Sequence, residues 1–286
     1  MKHSQATVRV PATSANLGPG FDCFGVALQL TNELSIHKKD SPKKLPKMME
    51  ETANRFFSTV ESDPFPFSVE ITGDIPPSRG LGSSATVRLG ILLALNELTN
   101  HPLATEQLYT LASDLEDHAD NVAAALLGGF TIARPYQAPL RYELSSELQF
   151  VLLIPDFSVS TKSARSLLPN TISITDAATN AANAAVVAVA FATGKYELLR
   201  GAFHDRLHQP FREPLIPYLS EALGAAESSG ALGGWLSGSG STIIALAENK
   251  KVSASVVEAF EQIAPSGSYC CVTQVDNLGA KVLPQR

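Results

Sequence analysis

Cysteine is scarce in this chain: three residues in 286, Cys23, Cys270 and Cys271. The last two are adjacent, and neighbours on an extended backbone point to opposite faces, so pairing them would strain the chain. An odd count with no spaced framework excludes a disulfide-stapled fold and implies reduced thiols in a cytoplasmic setting. CxxC and HxxxH clusters are also missing, so no structural metal organises the fold. Positive charge is in deficit. Lys and Arg number 22 against 28 Asp and Glu, a net charge of −6, which argues against a nucleic-acid backbone or an acidic membrane as the main partner. The longest apolar run, "AANAAVVAVAFATG", is too short and alanine-rich for a bilayer span. The opening "MKHSQATVRV" lacks the apolar stretch of a signal peptide.

What is present is an ordinary globular composition, 44% apolar and 17% charged. A chain of this length suits one large domain or two interlocked lobes, and it buries roughly three-quarters of its extended surface without staples. "ATVRVPA" predicts a strand ending at Pro11, and "TSANLGPGFDCFG" a loop. "VALQLTNELSIHKK" alternates as a strand or hairpin, and residues 38–49, "KKDSPKKLPKMM", read as an exposed basic loop. "FSVEIT" is a strand, followed by helices carrying Val87, Ile91, Ala94, Leu95 and Leu98 on one face and spanning Thr105 to Glu116. "HADNVAAALLGGFTIA" reads as loop, short helix, Gly-Gly stop and strand, and "LQFVLLIPD" as a buried strand. Helical periods cover Asp176–Thr193, Tyr196–Leu207 and Ile216–Ser229. "WLSGSGSTIIALAE" is a glycine-rich turn entering a strand, "SASVVEAFEQIA" is helical and "SYCCVTQVD" closes as a strand. Strands and helices mix without a clean βαβα alternation, which predicts α+β. The division between lobes is drawn at residue 155, giving 1–155 and 156–286.

Between a strand and a helix lies "PPSRGLGSSAT", Pro76 to Thr86. Its small residues allow close backbone approach, and a helix start offers free N–H groups and a positive dipole end, both suited to phosphate. The loop has no lysine, so it is not a P-loop. Gly80, Gly82 and Ala85 match the dinucleotide fingerprint formally, but Pro76 to Arg79 intervene after the strand and two helices follow in succession, which excludes it. From the residues alone, a serine-capped turn and a phosphate-binding loop both stay open.

Two further stretches belong with this loop: "PATSANLGPGFDCFGVAL" from Pro11 and "LGGWLSGSGSTIIAL" from Leu232. Together the three resemble the GHMP kinases, whose phosphate loop is P-x-x-G-L-G-S-S-A. "HADNVAAALLGG", "STKSARSLLP" and "DRLHQPFREPLIP" narrow the resemblance to the homoserine kinase branch, over about residues 7 to 247. The resemblance implies a two-lobed GHMP kinase fold, with a left-handed β-α-β unit in an ATP-binding N-terminal lobe and a ferredoxin-like C-terminal lobe on the substrate side. It implies ATP-dependent phosphorylation of the side-chain hydroxyl of L-homoserine, feeding threonine synthesis. Pro77, Ser78, Arg79, Gly80, Leu81, Gly82, Ser83, Ser84, Ala85 and Thr86 then form the nucleotide loop. Ser84 and Glu116 hold Mg²⁺, which needs few protein oxygens beside phosphate. Asn16, Asp22, Asn121, Thr161, Arg165 and Arg212 face the substrate, Asp22 toward its ammonium and the arginines toward its carboxylate. Asn121 positions the acceptor rather than acting as a base, because a loose phosphoryl transition state needs alignment and charge neutralisation most. The partners implied are homoserine and ATP, with no nucleic acid and no membrane; a homodimer is allowed but not required. Two other readings share the fold: a kinase for another amino alcohol or a sugar, and a metabolite-binding protein without catalysis.

Each residue also has a plainer reading. Asn16 and Asp22 suit a turn, Asp120 and Asn121 a helix cap, Glu116 an exposed helix end, and the arginines solvated surface. His118 and His208 read as structural, and Trp235 as packing. The family often has "EGHPDNVAP" where this chain has "EDHADNVAA", changing Asp117, Ala119 and Ala124; Ser241 replaces a common proline.

Overall fold

Alternating apolar stretches build two antiparallel sheets that share a core. The computed structural model describes residues 4–39, 44–135 and 137–284. β1 (Gln5–Ala15) pairs with β2 (Phe24–Lys38) around the loop 16–23. Pro11 does not end β1. A register shift between Pro11 and Ala12 absorbs it, since a residue without an N–H fits at a bulge, and the strand runs on to the cavity described below. β2 is long enough to take two partners: β3 (Phe67–Gly73) and β4 (Phe130–Arg134). β5 (Gln137–Tyr142), which no periodicity announces, pairs with β4.

Helices α1 (Lys47–Thr59), α2 (Ser83–Leu98), α3 (Thr105–Glu116) and α4 (Asp120–Leu127) accompany this sheet. Of the predicted basic loop, residues 40–43 lie outside the described residues, and Lys47 to Met49 open α1 instead. Met48 and Met49 pack with buried Phe56 and Phe57 on the core beneath. α2 is buried on nearly every side, with Leu89, Ile91, Leu92, Ala94 and Leu95 all inaccessible. That is the behaviour of a helix apolar all round rather than amphipathic.

The chain then enters the second sheet through β6 (Gln149–Ile154). α5 (Thr161–Ser166), α6 (Ile174–Thr193), α7 (Gln209–Arg212) and α8 (Leu219–Ser228) precede β7 (Gly233–Leu236) and β8 (Ile243–Ala247). α9 (Lys250–Ile263) leads to β9 (Tyr269–Thr273), and β10 (Lys281–Val282) returns to pair with β1. The second sheet has the order β7-β8-β6-β9, with every pair antiparallel. With α8 and α9 as crossovers, this is the ferredoxin-like arrangement. The predicted helix over 196–207 does not form. A four-residue 3-10 turn, Tyr196–Leu199, gives way at Gly201 (φ +76°), and Ala202 and Phe203 turn into the core.

One core cluster spans both sheets. It joins Phe24, Val26 and Leu28 of β2 to Phe150 and Leu152 of β6 and to Trp235. Trp235 is fully buried, as its packing reading requires, and its Nε1 donates to Ser14 Oγ at 2.9 Å. The apolar run read above as too short for a bilayer lies in α6, a 20-residue helix that by length and composition alone could cross one. Within the fold it is pinned by polar bonds: Asn180 donates to Pro19 O (2.7 Å) and Asn183 to His204 O (2.8 Å).

Candidate active site

The three glycine-rich stretches, far apart in sequence, are laced together by hydrogen bonds. Thr13 N donates to Leu81 O (3.2 Å), Gly238 N to Ala15 O (3.2 Å) and Thr242 N to Arg79 O (3.1 Å). Ser237 Oγ donates to Gly80 O at 2.7 Å and lies 2.8 Å from Ser14 Oγ. The glycines are what this lacing demands. A Cβ on Gly80 would sit 2.2 Å from Ser237 O, and one on Gly82 1.9 Å from Thr13 Oγ1. Both have left-handed φ, +77° and +68°, where side chains are disfavoured.

Around the junction lies a cavity of about 590 Å³ lined from both sheets' lobes. Gly82 is the residue before α2, and no side chain caps that helix. The serine-capped reading therefore fails, and the first N–H groups of α2 have no intrahelical acceptor. Pro77, Ser78, Gly80, Gly82, Ser83, Ser84 and Ala85 line the cavity. Arg79, Leu81 and Thr86 do not. Arg79 reaches Pro155 O (2.8 Å) and Asp156 (3.5 Å), Leu81 is buried in the shared core, and Thr86 Oγ1 donates to Ser83 O (2.9 Å).

Ser84 Oγ donates to Glu116 Oε1 at 2.6 Å, bringing the two oxygen-bearing side chains of α2 and α3 together. Glu116 is no exposed helix end, since its side chain is 12% accessible. Arg88, one turn beyond Ser84, places Nε 2.6 Å from the same Oε1, though not along a hydrogen-bonding direction. Its Nη1 donates to Thr52 Oγ1 on α1 at 3.3 Å. Among the described residues no group of three or more His, Cys, Asp or Glu can cage a metal. Two adjacent hard oxygens facing a phosphate-sized space nonetheless fit Mg²⁺, which keeps most of its ligands as water and phosphate. Arg88 escapes a reading of the sequence; its only local signal is the i, i+4 spacing from Ser84.

Asn121 is held from two sides. Thr13 Oγ1 donates to its Oδ1 (2.7 Å), and its backbone N donates to Asp120 Oδ1 (2.7 Å). Ala119, not Asp120, stands before α4, and it offers no side-chain cap. Asp120 is buried at 3% exposure, and burial raises its pKa while His118 and the Asn121 N–H work against that. His118 lines the cavity, which its structural reading did not anticipate.

Asn16 lines the cavity and uses its side chain twice: it accepts from Asp22 N (3.0 Å) within its own loop, as a turn residue would, and donates to Gly238 O (3.1 Å) across the junction. Asp22 and Arg165 form a two-pronged ion pair, 3.1 Å and 2.6 Å. Thr161, at the start of α5, lies 3.4 Å from Ser239 Oγ. Arg212 is 2% exposed, so the solvated-surface reading is wrong for it. Its Nη1 donates to Gly238 O (2.8 Å) and to His208 Nδ1 (3.1 Å), while its Nε is buried without a partner. His208 is fully buried, and its Nε2 lies 2.9 Å from Gly18 O. That nitrogen must donate, leaving Nδ1 to accept from Arg212, so the ring is neutral. Burial pushes His208 down to about 4, helped by Arg212 and opposed by Asp205. Burial, then Arg165, pulls Arg212 down to about 10. Phe21, overlooked in the sequence, stacks on His208 (5.2 Å) and lies beneath Arg165 (5.5 Å) and Arg212 (5.4 Å).

The departures from the family pattern have local accounts. Asp117 ends α3 at φ +62°, a left-handed position that Asp tolerates better than most residues. Ser241 is buried and its Oγ donates to Phe157 O at 2.6 Å. Ala124 is buried against Gly25.

Residues 45–129 match the model for the N-terminal domain of GHMP kinases, and residues 187–265 that for the C-terminal domain. The homoserine kinase of Moorella thermoacetica is 40% identical, with 96% of this chain and 99% of the relative covered. That of Clostridium beijerinckii is 38% identical over 97% and 98%. The crystal structure of homoserine kinase from Cytophaga hutchinsonii superposes with a TM-score of 0.89 at 27% identity, covering 99% of this chain and 98% of that one. Mevalonate kinase from Methanococcus jannaschii, at 14% identity and a TM-score of 0.73 over 97% and 100%, shares the fold. Full-length likeness of this order, on a cavity framed by the three laced loops, places the chain in the homoserine kinase family of the GHMP kinases.

Proposed function

We propose that this chain transfers the γ-phosphoryl group of ATP to the side-chain hydroxyl of L-homoserine, giving O-phospho-L-homoserine and ADP. The observation that carries the reading is one cavity lined both by an uncapped helix start beside Ser84 and Glu116 and by charges of both signs, Asp22, Arg165 and Arg212. The open N–H groups of Ser83, Ser84 and Ala85 receive the nucleotide's phosphates. Ser84 and Glu116 would hold Mg²⁺, which would supply neutralisation of charge on the transferring group. Asp22 takes the substrate ammonium. Arg212, a buried guanidinium with an unpartnered N–H, takes the carboxylate together with Arg165, where planar forks suit it best. Asn121, clamped by Thr13, steers the hydroxyl. The acceptor oxygen bonds to phosphorus as the bridging P–O bond breaks, and its proton leaves to solvent or phosphate.

The N-terminal lobe, 1–155, supplies most of the nucleotide side. The second, 156–286, supplies Thr161, Arg165 and Arg212 on the acceptor side, and the enzyme works in the cytoplasm. ADP release measured across homoserine, threonine, serine, mevalonate and galactose tests the reading. Turnover restricted to homoserine supports it; turnover of mevalonate or galactose instead, or ATP binding without turnover of any acceptor, overturns it.

A further inference from the structure

We infer that the Asp22–Arg165 ion pair is a latch that the acceptor must exchange with, and that this exchange selects ligands carrying both an ammonium and a carboxylate over ligands carrying one. The inference rests on the reading of this cavity as the acceptor site. Asp22 comes from the loop between β1 and β2, and Arg165 from α5 in the other lobe; both line the cavity. They meet through two bonds of 3.1 Å and 2.6 Å, one from each Nη, so the two-nitrogen end of the Arg165 fork is occupied by its neighbour. Arg212 shares the Phe21 ring with Arg165. Two like charges are thus held close, with Asp22 supplying the compensation at the Arg165 side.

An acceptor with only an amine reaches Asp22 by breaking both bonds to Arg165, and it leaves that guanidinium uncompensated beside Arg212. An acceptor with only a carboxylate reaches Arg165 by stripping Asp22 of its partner, in a wall that also holds buried Asp120. A zwitterion replaces both halves at once: its ammonium takes Asp22 as its carboxylate takes the freed fork and the neighbouring Arg212. The ion pairs lost are matched by those gained. The side chains are 36% and 38% exposed, so the latch has the modest strength of a partly solvated pair. It discriminates by a factor on the order of two to five, and it opens without a large barrier.

Titration calorimetry on wild type, Arg165→Gln and Asp22→Asn tests this with three ligands: L-homoserine, 3-aminopropan-1-ol (amine only) and 4-hydroxybutyrate (carboxylate only). Arg165→Gln should weaken homoserine and strengthen 3-aminopropan-1-ol, by about two- to five-fold over wild type. Asp22→Asn should weaken homoserine and strengthen 4-hydroxybutyrate by a similar factor. Arg165→Lys, which keeps the charge but loses the fork, should move in the same direction by less, and it serves if the Gln variant does not fold. The idea is overturned if neither single-charge ligand gains, whatever happens to homoserine, because side chains that only bind substrate or brace the loop produce losses alone. Failure of wild type to turn over homoserine in the ADP-release assay would count against the assigned function, and leaves this comparison of single-charge ligands intact.

Discussion

At the scale of single residues, Glu116 has two neighbours competing for one oxygen. Ser84 donates to Oε1 and Arg88 sits 2.6 Å from it. The cation holds the carboxylate in place, but it also offsets charge that a metal would otherwise feel. Glu116→Gln keeps the shape and removes the charge, so kcat should fall by about 100-fold or more, with the loss growing at limiting Mg²⁺. Wild-type turnover of that variant at limiting Mg²⁺ would show that Glu116 is no ligand. Gly82 illustrates the opposite case. A side chain there would seem to block phosphate, yet the nearest atom to its Cβ is Thr13 Oγ1 at 1.9 Å, not open space. Gly82→Val should therefore lower the thermal midpoint by several degrees or more, because it combines overpacking with a left-handed backbone. A variant as stable as wild type, defective only in nucleotide affinity, would show that the glycine serves the phosphate instead.

Among the elements, α7, the shortest α-helix of the described residues, carries the most. It spans four residues, Gln209–Arg212, yet it aims Arg212 into the cavity. Nothing in its length makes it stable alone. Asp205 supplies what it lacks: its carboxylate accepts from the N–H groups of Leu207 (2.8 Å), His208 (2.9 Å) and Gln209 (2.6 Å), and it is nearly buried. Asp205→Ala should leave three donors unpaired, two of them buried, loosen Arg212 and raise KM for homoserine by about ten-fold. KM for ATP should hold, since α2 is untouched. Equal changes in both constants would mean that Asp205 supports the whole fold rather than the acceptor side. This element also marks where a sequence stops being legible. The start of α2 could be read locally, because glycines, serines and an apolar run sit side by side, but that no serine caps it could not. The stretch 196–207 had a helical period but lost its helix to the core, where Ala202 and Phe203 are buried. β5 carries no apolar alternation, being exposed along most of its length. Arg88 and Phe21 owe their places to partners on other elements, and no window of sequence contains those partners.

For the whole molecule, the decisive fact is that the two sheets are not separable bodies. β6 and β2 share one core cluster, β10 carries the end of the chain back to β1, and the laced loops lie across the junction. Local damage at the junction therefore registers as global stability, and the buried His208 offers a way to read it. Its ring is neutral in the fold, pushed down to about 4 from an ordinary 6.5, first by burial. Below pH 6.5 the unfolded chain takes up a proton on this residue that the folded chain refuses. Its contribution is fully present above 6.5 and is lost as pH falls toward about 4, below which the loss levels off. The full effect is about 3 kcal/mol. Asp120 works in the opposite sense: its raised pKa lets the folded state hold a proton above the ordinary 3.8, so its contribution declines as pH rises. Subtraction separates the two. His208→Gln can keep a donor toward Gly18 O and an acceptor toward Arg212 Nη1 while removing the titration. Urea unfolding of both proteins at pH 7, 6, 5 and 4.5 should then give wild type the steeper decline, by up to about 1.4 kcal/mol per pH unit in the middle of the window. Parallel curves would mean that the folded ring takes up its proton as readily as the unfolded one, and a shallower wild-type decline would mean that it is held protonated; either result overturns the neutral ring assigned from its two hydrogen bonds.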